Sequence, residues 1–230
     1  VVAPILHLVD ARTRDALISY VDGGGHLVAT YLSGIVTEHD HFWPGDFPGA
    51  LRDLLGVRVQ EFAPLRDGES VTLESAFGPL TGTLWTDKLD VIDADVLARY
   101  ASGWLAGRAA VTRRAHGTGT ATYVSTRLGP AGLRPVLTEL CGRAGVVSPL
   151  PAAARGRVEL VVRSGPSGRF LFLINRGDEE VAIEDLAAVA GGPVEIIDAP
   201  ALAGSSDGAS GLRLGPRGVA VARQPTTVSS

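Results

Sequence analysis

"VVAPILHLVDARTRDALISYVDGGGHLVATYL", residues 1–32, decides the fold class. "VVAPILHL" (1–8) is a nearly continuous apolar run, the pattern of a strand buried on both faces. Asp10 stands where it can cap the next segment, "ARTRDALISYVDGG". There Ala16, Leu17, Tyr20 and Val21 fall on one side at helical spacing. Gly23, Gly24 and Gly25 end that helix, because glycine enters the left-handed region with no Cβ clash. "HLVATYL" (26–32) is again a strand. Strand, helix and strand within about thirty residues make a βαβ unit with parallel strands.

Beyond it, "PGALRDLLG" (48–56) reads as a short helix between Pro48 and a Gly56 stop, and "VRVQEF" (57–62) as a strand. "ESVTLES", "GTLWTDKL" and "DVLARYA" alternate like exposed-edge strands. Residues 108–128 read as a hairpin turning at His116-Gly117-Thr118-Gly119. "GPAGLRPVLTELCGRAG" (129–145) is a helix with a stripe of Leu133, Val136, Leu137 and Leu140, and Cys141 beside it as a small buried hydrophobe. "VVSPLPAAARG" (146–156) loses periodicity and marks a boundary. Short strands with turns roughly every ten residues follow, the spacing of a small antiparallel β-sandwich. The domains expected are 1–147, a linker at 148–156, a β domain at 157–224 and a frayed tail at 225–230.

The 230 residues carry a net charge of −4 and 20% charged residues. No basic stripe points to nucleic acid, and no apolar run approaches the ~20 residues that span a bilayer. The one cysteine rules out an internal disulfide and favours a reducing, cytoplasmic compartment. The chain holds no methionine and opens on a strand already under way. It reads as a piece of a longer protein, cut inside a domain, which leaves the sheet truncated at its N-terminal side.

"TEHDHFWPGDFPG" (37–49) carries the densest chemistry, at the carboxyl end of the second strand, where α/β sheets usually place ligands and partners. Glu38, His39, Asp40 and His41 are acceptable ligand types for a divalent metal, but all would come from one loop with no distant partner. Glu38 and Asp40 could serve as paired carboxyls, but nothing nearby splits their pKa values. Phe42, Trp43 and Phe47 either fold back on their own core or await a covering surface. The βαβ pattern resembles amidotransferase-like folds, which carry a cysteine nucleophile after a strand. Here that place holds Ser33, with no cysteine and no nucleophile-elbow pattern. "GTGTA" (117–121) precedes a strand rather than a helix, so it is a turn and not a phosphate loop.

"YVDGGGHLVATYLSGIVTEHDHFWPGDFPGALRDLLGVRVQEF" (20–62) resembles the trimerisation domain of glycoside hydrolase family 42 β-galactosidases. "TLWTDKL" (83–89) and residues 96–128 continue the likeness in order, and "RFLFLINRGDEEVAI" (169–183) and "GPRGVAVAR" (215–223) resemble the family's small C-terminal β domain. The resemblance implies an amidotransferase-like (flavodoxin-like), mostly parallel α/β sheet followed by a small antiparallel sandwich. It also implies that the family's first strand, helix and second strand precede Val1. The family hydrolyses terminal β-D-galactosides with retention, using two glutamates on an N-terminal (β/α)8 barrel that these residues do not include. No residue here inherits a catalytic role, and no metal or cofactor is implied.

The implied partners are the chain's own barrel and neighbouring subunits of a homotrimer, with no nucleic acid and no membrane. Glu38, His39, Asp40, Phe42, Trp43 and Phe47 are then expected to form an interface or pocket-bordering loop packed on a barrel. Trp43→Ala in the full-length enzyme is expected to weaken assembly or substrate affinity. The alternative is an independent amidotransferase-like module that binds a small ligand or sugar without catalysis. A free-standing metal hydrolase built on residues 38–41 is the third reading.

Overall fold

The computed structural model describes residues 1–198 and 211–224. The expected tail at 225–230 lies outside the described residues. The chain divides into two compact units, 1–146 and 147–230.

The first unit holds α1 (Ala11–Asp22), β1 (Val2–Ala3), β2 (His26–Thr30), α2 (Arg52–Leu55), β3 (Val57–Pro64) and β4 (Ser70–Ser75). It continues with β5 (Leu80–Val91), β6 (Asp95–Tyr100), β7 (Ala109–His116), β8 (Gly119–Val124), β9 (Thr126–Leu128) and α3 (Pro130–Arg143). The Asp10 carboxylate caps α1 by accepting from the Thr13 N–H at 2.6 Å, which holds its pKa below the ordinary carboxylate range. Of the three glycines expected to stop α1, Gly24 takes the left-handed conformation at φ 96°. Gly56 ends α2 at φ 65°, and a Cβ there would stand 2.2 Å from the Asp93 carbonyl oxygen.

These strands form one sheet in the order β1-β2-β8-β7-β6-β4-β5-β3, with β9 on β5. The mostly parallel sheet expected from the opening βαβ unit is corrected to a mixed one. Among the described strands only β1–β2 and β2–β8 pair in parallel, and the other pairings are antiparallel. The cause is connection length. Parallel neighbours need a long crossover, and the chain after β3 returns through short turns that can only make antiparallel pairs. For the same reason β4, β5 and β6, read as edge strands, lie inside the sheet.

The first strand is also corrected. "VVAPILHL" gives only Val2–Ala3 as strand, and Val1, Val2, Ile5 and Leu8 are exposed. Pro4 has no N–H to donate, and Ile5 sits at φ 48°, outside the extended region.

Strand alternation builds two cores. Leu27, Ala29, Ala121 and Tyr123 face α1 and α2 with Val57, Val59 and Leu89. Val28, Val124, Val111 and Tyr100 face the other way, against Val136 and Leu140 of α3. Leu133 is only partly buried against this second core, and Cys141 is likewise intermediate rather than buried. Ser125 separates β8 from β9 and lets the chain change partners, from β7 and β2 to β5.

The second unit has β10 (Val158–Gly165), β11 (Gly168–Asn175), β12 (Val181–Ile183), α4 (Leu186–Ala190), β13 (Glu195–Asp198), β14 (Leu212–Leu214) and β15 (Val219–Gln224). An antiparallel sheet, β10-β11-β15-β13, and a β12-β14 pair share one core. Leu171, Leu173, Ala220 and Ala222 come from the first sheet and Val181, Ile183, Leu212 and Leu214 from the second. Leu150 and Ala154, in the stretch read as linker, are buried in this core. The short helix α4, which the strand pattern did not suggest, is capped by Asp185 through the Ala188 N–H at 2.8 Å. Among the described residues no helix is long and apolar enough to cross a membrane.

Candidate functional site

The loop at 37–49 leaves the carboxyl end of β2 beyond buried Ser33, Ile35 and Val36. Its charged half is a tight turn. The Thr37 N–H donates to the His41 carbonyl at 2.8 Å and the Asp40 N–H to the Thr37 carbonyl at 3.0 Å. Asp40 takes φ 59°, a left-handed position that aspartate tolerates. Glu38, His39, Asp40 and His41 all point into solvent. Among the described residues no three His, Cys, Asp or Glu side chains gather to hold a metal ion. Ser33, considered as a nucleophile from sequence, is fully buried and its hydroxyl accepts the Leu6 N–H at 3.1 Å.

The aromatic half divides. Phe42 and Trp43 are adjacent in an extended stretch, where successive side chains point to opposite sides. Trp43 turns inward onto the α1–α2 core, and its indole N–H donates to the Val9 carbonyl at 3.1 Å. Phe47 also packs against that core. Phe42 turns outward and is 70% exposed.

Phe42 begins a row of rings that runs into the unit. It meets Phe47 edge-on at 5.8 Å between centroids, Phe47 meets Phe62 at 5.1 Å, and Phe62 meets Trp85 at 5.6 Å. Such tilted and edge-on pairs are the favoured aromatic geometries. Trp85 then donates its indole N–H to Asp87 Oδ1 at 2.8 Å, while the Tyr123 hydroxyl donates to Oδ2 at 2.7 Å. The Asp87 main-chain N–H is held by the Ser125 carbonyl at 2.9 Å, at the kink between β8 and β9. The exposed loop thus rests on a ring stack that ends at a fully buried carboxyl.

Burial pushes the Asp87 pKa up to about 7, against the opposing pull of its Tyr123 and Trp85 hydrogen bonds. The same burial, with Asp87 beside it, raises the Tyr123 hydroxyl well above its ordinary value. A perturbed carboxyl often marks catalysis. Asp87 has no exposed surface, so a substrate has no path to it and its place is structural. The sequence reading passed over it. The signal was present, since period-two alternation along β5 puts Asp87 on one face with Trp85 and buried Leu89.

Residues 1–147 match the family described as the β-galactosidase trimerisation domain, and residues 157–224 match the β-galactosidase C-terminal domain. The β-galactosidase LacZ of Heyndrickxia coagulans is 34% identical over 221 residues, which is 96% of this chain and 31% of that protein. The crystal structure of β-galactosidase from Bacillus circulans sp. alkalophilus superposes with a TM-score of 0.81 at 25% identity, covering 97% of this chain and 32% of that one. Gan42B, a GH42 β-galactosidase from G. stearothermophilus, superposes with a TM-score of 0.77 at 25% identity, covering 98% of this chain and 31% of that one. The chain spans about a third of the length of these relatives. With both of its units matched in order, the chain belongs to the glycoside hydrolase family 42 β-galactosidases and corresponds to their trimerisation and C-terminal domains.

Proposed function

We propose that this chain is the assembly part of a β-galactosidase and carries none of its catalytic residues. The observation that carries the reading is the family match over residues 1–147, in a chain that spans about a third of its relatives' length. The hydrolysis of terminal β-D-galactosides, with retention, then belongs to a barrel in the part of the relatives that this chain does not cover. Within the first unit, the parallel β1–β2–β8 core with helices on both faces supports an amidotransferase-like (flavodoxin-like) origin, extended by antiparallel strands. The domain bounds proposed stay at 1–147 and 157–224. The single Cys141 supports a reducing, cytoplasmic setting.

The surface proposed for contact with a barrel or a neighbouring subunit is the tip of the 37–49 loop. Phe42 is its apolar centre and Glu38, His39 and Asp40 are its polar rim, while Trp43 and Phe47 shape it from below. An exposed apolar ring set among polar groups is the usual anatomy of a contact centre. The assay that tests the division of labour measures turnover of nitrophenyl β-D-galactoside by the full-length enzyme and by this chain alone. Turnover is expected from the first and none above background from the second. Hydrolysis by the chain alone would place catalytic groups within it.

A further inference from the structure

The sheet face that α3 covers changes character along its length. Near Ser125 it is apolar, with Val111 paired to Val124. Two residues further along β7 the register brings polar groups into line. Asp95 pairs with Arg113, Arg113 with Thr122, and Thr122 with Val28, one row across β6, β7, β8 and β2. The next row holds Ala115, Thr120 and His26. Cross-strand partners project to one face, and residues two apart share it. These two rows, with Leu140 and Arg143 from the last turns of α3, line a cavity of about 390 Å³. That is the size of a small-molecule site.

Two guanidinium groups, two hydroxyls and an imidazole line this cavity with one carboxylate, Asp95. The Arg113 side chain is only 20% exposed, and it makes no hydrogen bond among the described residues. It forms a long ion pair, at 3.7 Å, with Asp95, a carboxylate that is 78% exposed and lines the same cavity. Thr122 is 1% exposed, and its hydroxyl has no partner among the described residues. His26 Nδ1 lies 2.8 Å from Thr120 Oγ1, which leaves Nε2 as the free ring nitrogen. Arg143 adds a second guanidinium, tied by its Nε to Glu139 one helical turn back. Buried polar groups are normally paired, and a guanidinium fork matches the geometry of carboxylate and phosphate oxygens.

We infer that this cavity binds a small oxyanion, a phosphate or carboxylate group on a molecule no larger than a monosaccharide. Arg113 and Thr122 hold the oxyanion at the floor and Arg143 at the rim. The apolar lining of Val28, Ala115 and Leu140 limits the size of what the oxyanion can carry. The site lies wholly within the first unit and does not depend on the assembly role.

Isothermal titration of the full-length enzyme with inorganic phosphate, and separately with acetate, tests the inference. Saturable heat is expected from at least one, and which one identifies the source of the oxyanion. Arg113→Gln is expected to weaken that binding about tenfold or more, the loss of a charge-assisted pair. Thr122→Val, which keeps the shape and removes only the hydroxyl, is expected to weaken it several-fold. This second variant covers the case in which the arginine change disturbs folding. Arg163→Gln, an exposed position in the second unit, is expected to leave binding unchanged. Absence of saturable heat from both anions, or wild-type affinity in both Arg113→Gln and Thr122→Val, would overturn the proposal.

Discussion

Asp87→Ala should cost the chain about 2–5 kcal/mol of folding stability near pH 4.5, and the deficit should shrink as the pH rises towards 8. The loss comes from two donors. With the carboxyl gone, the Trp85 indole N–H and the Tyr123 hydroxyl lose their acceptor, and Tyr123, at 1% exposed, cannot turn to water. An orphaned buried donor costs roughly 1–3 kcal/mol. The pH dependence comes from the carboxyl itself. Its pKa is about 7 in the folded chain, against an ordinary 3.8, because burial penalises the charged form. Between those values the folded state holds a proton that the unfolded state has released. Stability therefore falls as the pH rises through that window, by roughly 4 kcal/mol for a shift of about three units. Alanine removes this penalty along with the hydrogen bonds, so the variant gains on the wild type as the pH rises. Urea unfolding of both forms at pH 4.5, 6 and 8 reads the difference directly. A deficit that stays constant across that range would mean that Asp87 titrates as an ordinary carboxylate.

Phe42→Asp in the full-length enzyme should break assembly while leaving the fold intact. At 70% exposed, the Phe42 ring supports little of its own unit's core. In a contact it would bury apolar surface worth about 1.5–3 kcal/mol, and a carboxylate in its place would add an unpaired charge to a dry patch. Together these exceed about 3 kcal/mol, which corresponds to a loss in association of more than about a hundredfold. Trp43→Ala is the informative contrast. Trp43 packs on its own core and donates to Val9, so its loss should lower stability by about 3–5 kcal/mol and affect assembly only through unfolding. Sedimentation together with thermal melting separates the two. If Phe42→Asp sediments as the wild type does and keeps its kinetics, the loop tip is not a contact.

The alternation of Leu27, Val28 and Ala29, the Asp10 cap and the Gly56 stop are local signals, and the elements they mark were readable one by one. Long-range strand pairing was not. The turn at residues 116–119 is a local signal, and β7 pairs with β8 as it requires, but nothing within residues 57–128 says that β8 also pairs with β2, or that the kink at Ser125 hands the chain to β5. A βαβ opening suggests a parallel sheet, but the short turns further on decide otherwise. The loop shows the same limit at smaller scale. Phe42, Trp43 and Phe47 read as one aromatic group in the sequence, but the pleat requires neighbours to part company, and it sends Trp43 inward and Phe42 out. Asp87 and Arg113 escaped notice because a charged residue in an alternating strand reads as solvent-facing. Their burial is set by β9, β8 and α3, all distant in sequence.

In the proposed function, this chain holds the subunits together and leaves the chemistry to the rest of the protein. Sedimentation velocity of the full-length enzyme, beside the same enzyme ended just before this chain, tests it most directly. The full-length form is expected to sediment as a trimer and the shortened form as a monomer. A shortened enzyme that still sediments as a trimer would contradict the account, because the assembly contacts would then lie outside these residues.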